Sequence, residues 1–293
     1  MAGVTDSAFR QMAKEGGADV VYSEMASVAA LVHNSGKTLE MLKAAPRERP
    51  YVVQLFGADP KHFAIAARLV EEKIGPDGLD INFGCPVKKV QKQGAGAVLM
   101  ENLDLSRKVV ESVLANTALP VSVKCRTAVG RVKVKEFLEK IADLDVEAVM
   151  IHGRAMSQGH SGEIDTEAIK NARQSFKGLV LANGGVRSWE DAYDLLEKTG
   201  ADGVGVARGA LGRPWIFSEI REKETFIKNK EEIFALIREQ ARLAEATAGR
   251  QGIIELRKHL CWYVAGLPDA SELRRQFVLI KTLEDIEAII KAP

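Results

Sequence analysis

The sequence predicts a (β/α)8 TIM barrel followed by a small all-helical domain. Three observations carry this expectation. Up to about residue 220, short β-branched or apolar runs alternate with longer amphipathic stretches across short connections. The early G-x-G-x-x-G turn that marks many doubly wound sheets is missing, which disfavours the open-sheet alternative. Beyond about Ile220 only helical patterns remain.

The chain opens with MAGVTDSAFRQMAKEGGA, a loop and helix with no strand before it. Seven strand candidates follow: DVVYSEM (19–25), YVVQLFG (51–57), LDINFG (79–84), VSVKCR (121–126), AVMIHG (148–153), LVLANGG (179–185) and GVGVARG (203–209). An eight-unit barrel whose first strand is clipped by the start of the sequence explains the count. Helical patterns such as HFAIAARLVEEKI, LSRKVVESVLANT, VKEFLEKIADLD and SWEDAYDLLEKTG lie between the strands. We therefore expect residues 1–220 to form the barrel and 221–293 a helical domain. In the latter, Gly249, Gly252 and the turn Gly266–Asp269 separate successive helices.

Composition narrows the setting. The 293 residues are 46% hydrophobic and 28% charged, and the formal net charge of +1 means that nucleic-acid binding must come from a local basic face. Three cysteines without paired spacing, and no secretory leader pattern, fit a reducing cytoplasm. No apolar run approaches the ~20 residues needed to span a bilayer. The five histidines show no metal-ligand spacing, so no metal is expected.

Strand side chains alternate faces, and the apolar set must meet the helices. The polar set then points into the barrel, concentrated at the C-terminal strand ends where barrel enzymes build their sites. Gln54, Asn82, Lys124, Arg126, His152 and Asn183 fall in this set and are expected to form one ring. A lysine and an arginine there, without an acidic neighbour in sequence, call for an anionic or electron-rich ligand. Glycine-rich turns in LANGGV and GVARGALGRPWIF sit where barrels commonly bind phosphate, which suggests a phosphorylated cofactor such as FMN. The strand LDINFG ends on Cys85, Pro86 and the lysines Lys88, Lys89 and Lys92. Cys125 points to the helical layer, and Cys261, Trp262 and Tyr263 read as helix packing.

Taken in order, MAGVTDSAFR, VVQLFG, DINFGCPVKKV with its GAG, VKCR, IHGR with Gln158 and SGEID, LANGGV, and GVARGALGRPWIF resemble the tRNA-dihydrouridine synthases. The tail RKHLCWYVAGLPDASELR is most similar to the bacterial B-type branch. The resemblance covers nearly the whole chain; GCPVKKV and the HGR segment are its specific parts. It departs at the start, where family members carry a short strand and a proline before the position of Met1.

The resemblance implies an FMN-containing barrel with a helical tRNA-binding domain that reduces uridine to 5,6-dihydrouridine, with NADPH as electron source. Hydride would pass from flavin N5 to uracil C6, and a proton from Cys85 to C5. By matching motif, Met1, Ala2, Gln54, Lys124, His152, Asn183, Gly184, Gly185, Ala207, Arg208 and Gly209 would surround the flavin. Asn82, Cys85, Lys124, Arg126 and His152 would surround the uracil. A free thiol titrates near ~8.5, so Cys85 is competent as a general acid.

A uridine in folded tRNA must leave its stack to reach the barrel. Lys88, Lys89 and Lys92 on the Cys85 loop are candidates for RNA backbone contacts, as are Arg154, Arg257, Lys258, Arg274 and Arg275. Three other readings remain open: a reductase of a free pyrimidine-like molecule, a non-catalytic tRNA-binding or chaperone protein, and a flavin-free phosphate-binding aldolase-type barrel. No protein partner is implied, and neither the target uridine nor the oligomeric state is written in the sequence.

Overall fold

Alternation along the strands decides which way each one faces. A computed structural model describes residues 1–291, and in it the strands are β1 (Val21–Tyr22), β2 (Ala26–Ser27), β3 (Tyr51–Phe56), β4 (Gly78–Phe83), β5 (Val121–Arg126), β6 (Ala128–Val129), β7 (Val132–Lys133), β8 (Ala148–His152), β9 (Leu179–Asn183) and β10 (Gly203–Gly205). Seven are parallel neighbours in the order β1-β3-β4-β5-β8-β9-β10, and β2 pairs with β3 beyond β1. No pairing joins β10 to β1 among the described residues, so the sheet is a parallel half-barrel backed by helices. The short antiparallel pair β6-β7 stands apart. It was not expected from the sequence.

The apolar alternates of each strand pack outward against the helices. Tyr51, Val53 and Leu55, then Leu79, Ile81 and Phe83, then Val121, Val123 and Cys125 are all essentially buried. Each such side chain contributes roughly 1.5–3 kcal/mol by leaving water. Phe83 meets Phe137 of the helix Val134–Lys140 at 4.8 Å between ring centroids. Helix starts are set locally: Asp59 caps Pro60–Lys73, Asn102 caps Leu103–Leu114 and Asp165 caps Thr166–Ser175, each carboxylate or amide oxygen accepting a first-turn N–H.

A separate hydrophobic cluster fills the helical region after the barrel. It is built on the long helix Lys230–Tyr263, which breaks at Gly249 (φ 55, ψ −142), and on Ala270–Phe277 and Leu283–Lys291. Ala8 of the helix Ser7–Glu15 belongs to this same cluster, which ties the helical region to the start of the barrel. The boundary expected at 220/221 falls inside the helix Ile216–Glu222. No described helix is long and apolar enough to cross a membrane.

Candidate active site

Register stacks the inward-facing residues in levels. Gln54 lies opposite Asp80, and Asp80 opposite Ser122. One step further along the strands, Asn82 lies opposite Lys124, and Lys124 opposite Met150. At the strand ends Arg126 lies opposite His152, His152 opposite Asn183, and Asn183 opposite Gly205. The expected single ring is thus a stack of three levels, because staggered parallel strands bring successive polar alternates to different depths.

The deepest level is a hydrogen-bonded chain. Ser122 Oγ donates to Asp80 Oδ1 at 2.7 Å, and Gln54 Nε2 donates to Asp80 Oδ2 at 2.7 Å. Asn82 Nδ2 donates to Gln54 Oε1 at 2.8 Å. Asn82 Oδ1 then accepts the backbone N–H groups of Gly84 (3.0 Å) and Cys85 (2.9 Å). The Asn82 oxygen is thereby occupied by the turn that presents Cys85, and its remaining amide hydrogen lies toward Met25 Sδ at 3.8 Å.

The loop after β4 folds back on itself. Ala97 N–H donates to the Cys85 carbonyl at 3.0 Å. Gly96, with φ +67, is required here, since a Cβ would come within 2.8 Å of Cys85 O and 2.9 Å of Val90 Cγ1. Lys88 and Lys89 lie on the short helix Lys88–Gln91 and Lys92 caps its end. All three are exposed, and none pairs with a described carboxylate.

Arg126 is almost fully buried, and its guanidinium is spent on backbone carbonyls: Gly84 at 2.8 Å, Gly159 at 2.9 Å and Ala155 at 3.2 Å. It clamps the Cys85 loop to the loop after β8 and stands within electrostatic reach of the Cys85 thiol. Lys124 Nζ donates to Asn183 Oδ1 at 3.0 Å, and Asn183 Nδ2 donates to Gly205 O at 2.6 Å. Burial lowers the Lys124 pKa, with Asp80 pulling the other way. Burial, then the neighbouring charges of Lys124, Arg126 and Arg154, lowers His152 to about 3, so its imidazole is neutral near pH 7.

Above β9 and β10 the glycine turns close on one another. Gly184 has φ +121, and a Cβ there would come within 2.8 Å of Ile164 and 3.0 Å of His152. Gly185 follows with φ +80, while Ala207 begins the turn Arg208–Ala210, in which Gly209 packs on the Val186 carbonyl. The expected last strand is shorter than 203–209, because the chain leaves the sheet after Gly205 to make this turn. Met1, half-buried, donates its amine to Thr5 Oγ1 at 2.9 Å and lies within the field of Glu24 and Lys124, while Ala2 is exposed.

Arg154, a candidate for an RNA backbone contact, is 9% exposed, its Nε donates to Gly162 O at 2.8 Å, and its buried Nη1 has no partner. Burial, then the charges of Arg208 and Arg187, lowers its pKa. Arg154, Arg187 and Arg208 thus gather three guanidiniums beside glycine turns, none paired with a described carboxylate. The sequence reading missed Arg187, although its place just after LANGGV was the available signal. The tail arginines are also committed: Arg257 to the Ile280 carbonyl (2.9 Å from Nε), Arg274 to the Cys261 carbonyl (3.2 Å), and Arg275 to Glu272. Lys258 is half-buried beside Asp6 and His259.

The chain matches the family described as "Dihydrouridine synthase (Dus)" over residues 1–292. It belongs to that family. Among similar dihydrouridine synthases, "tRNA-dihydrouridine synthase B" of Pseudomonas syringae pv. tomato is 37% identical over 98% of this chain and 87% of its own. "Probable tRNA-dihydrouridine synthase 1" of Synechocystis sp. is 33% identical over 97% and 82%. Among solved structures, an old yellow enzyme homologue from Zymomonas mobilis superposes with a TM-score of 0.54 at 16% identity, covering 76% of this chain and 85% of that one. Histamine dehydrogenase from Rhizobium sp. 4-9 gives 0.56 at 13% identity, covering 83% and 47%. At such identities the likeness is one of fold. The dihydrouridine synthase family membership rests on the sequence match.

Proposed function

We propose that this protein reduces uridines of tRNA to 5,6-dihydrouridine, using bound FMN and NADPH as the source of electrons. The observation that carries the reading is the Cys85 loop, held by Asn82 and Arg126 at the mouth of a barrel whose neighbouring strand ends carry Lys124, His152 and the three guanidiniums.

The residues present fit FMN. The partnerless Nη1 of Arg154, with Arg187 and Arg208 nearby, suits a phosphate lying beside the turns at Gly184, Gly185, Ala207 and Gly209. Gln54, Lys124, His152 and Asn183 would face the ring system. FMN, when bound, supplies hydride to uracil C6.

The chain's own residues do the rest. The Cys85 thiol gives its proton to C5, and the Arg126 guanidinium offsets the negative charge left on sulfur. Lys124, already anchored on Asn183, has N–H groups left for an electron-rich carbonyl. His152, held neutral, accepts or donates a hydrogen bond without adding charge. Lys88, Lys89 and Lys92 stand where the backbone around an extruded base would pass, and the helical region docks the rest of the tRNA.

The test is nucleoside mass spectrometry on dihydrouridine-free tRNA incubated with FMN-loaded protein and NADPH. A gain of two hydrogens, reduced by about a hundredfold or more in Cys85→Ala at unchanged FMN content, supports the reading. No gain from a yellow, folded protein turns it toward a reductase of small pyrimidine-like molecules.

A further inference from the structure

We propose that Asp80 is a positioning residue, which orients the amides of Gln54 and Asn82 so that an oxygen, and not an NH2 group, meets the Cys85 turn. This deepens the preceding reading, since the group being positioned is its acid.

An amide is two-ended, and only its partners decide which end carries oxygen. The chain from Ser122 to Cys85 has two fixed ends. At one end the Gly84 and Cys85 N–H groups are obligate donors and need an acceptor from residue 82. At the other, a carboxylate that is wholly buried takes one hydrogen from Gln54 and one from Ser122. Burial raises the Asp80 pKa to about 6, with Ser122, Gln54 and Lys124 acting in opposition, so it is ionised and accepts only at neutral pH. Tyr22 also faces it, and its own pKa is raised by burial and by the Asp80 charge.

Between these ends Gln54 has one consistent orientation. Its NH2 faces Asp80 and its oxygen faces Asn82. Were Gln54 reversed, its NH2 would meet the Asn82 NH2 and its oxygen would meet a carboxylate. Asn82 would then have to turn its own oxygen inward, stripping Gly84 and Cys85 of their acceptor. A 1 Å misplacement at a reacting centre costs on the order of 10²-fold in rate.

The direction of the chain can be reversed on purpose. In Asn82→Asp the backbone N–H groups keep an acceptor, but the second carboxylate oxygen faces Gln54 Oε1. Gln54 must flip, and its oxygen then opposes Asp80. Adding Asp80→Asn supplies an NH2 to that flipped oxygen and an oxygen to Ser122. Every group is again paired, with the chain running the other way.

The readouts are the rate of Cys85 alkylation by iodoacetamide, resolved by peptide mass spectrometry in FMN-loaded protein, and dihydrouridine formation per turnover. N82D is expected to change the alkylation rate by about tenfold and to slow product formation by at least as much. D80N should have the smaller effect, and N82D/D80N should return the alkylation rate, the readout of loop geometry, to within about threefold of the parent. Gln54→Leu added to the double variant should abolish the rescue of the alkylation rate, because the signal runs through that amide. A double variant no better than N82D overturns the proposal. So does a rescue that survives Gln54→Leu, which would mark simple charge balance. If N82D does not fold, Gln54→Leu alone cuts the chain without adding charge, and an unchanged Cys85 alkylation rate then overturns it. Alkylation reads loop geometry even in a protein that forms no dihydrouridine, so failure here is distinct from failure of the functional reading.

Discussion

Buried polar groups in the barrel and in the helical region meet opposite circumstances. In the barrel Asp80, Asn82, Arg126 and Asn183 are all bonded to partners, mostly from neighbouring strands or loops. In the helical region His259 and Gln240 are wholly buried with no partner for either polar atom, and the buried Tyr263 hydroxyl is likewise alone. Parallel strands set polar alternates side by side at hydrogen-bonding distance, level after level. Helices meeting through apolar stripes do not, so a polar residue caught there is faced largely by apolar groups, as the His259 ring is by Phe9 and Trp262. Polar burial in the barrel organises a site; in the helical region it costs stability.

Substitutions can break or sharpen this contrast. Arg126→Met strips three carbonyls of their donor, and chemical unfolding should reveal a loss of about 3 kcal/mol. A loss under 1 kcal/mol would erase the distinction.

His259 gives the converse in acid. Burial lowers its pKa from 6.5 to about 4, so the unfolded chain takes up that proton first as pH falls. Its contribution to stability is full above pH 6.5 and is lost progressively toward pH 4. Thermal melts of His259→Phe across that window should lose less stability than the parent, by about 2 kcal/mol. His152 titrates in the same direction, with its pKa lowered to about 3, so the variant keeps part of the acid slope.

Gln240→Met removes two orphaned atoms at similar volume and should stabilise by about 1 kcal/mol, read as a raised unfolding midpoint. A destabilised variant would mean that Gln240 has a partner in solution. The smallest effect concerns exposed charge. Lys89→Gln should lower the slope of log affinity for tRNA against log salt by about 0.7–0.9, whereas Arg275→Gln, already paired with Glu272, should leave it unchanged. Equal slopes for both would remove the Cys85 loop from the RNA path.

By itself the sequence determined the alternation, and with it which side chains face inward: Gln54, Asn82, Lys124, His152 and Asn183 were legible because period two is a property of the extended chain. Cys85 was legible from its position at a strand end. Helix breaks at Gly249 were too, since glycine alone takes that backbone at little cost. What only the tertiary structure decided was depth and partnership. Register between strands separates the inward residues into three levels, and a hydrogen bond between residues 26 or 42 positions apart has no local signal. Asp80 therefore stayed outside the expected ring, and the backbone carbonyls that Arg154 and Arg257 hold left no trace in their sequence positions. The physical reason is common to all three: a polar side chain's role is set by the group facing it, and folding chooses that group from far along the chain.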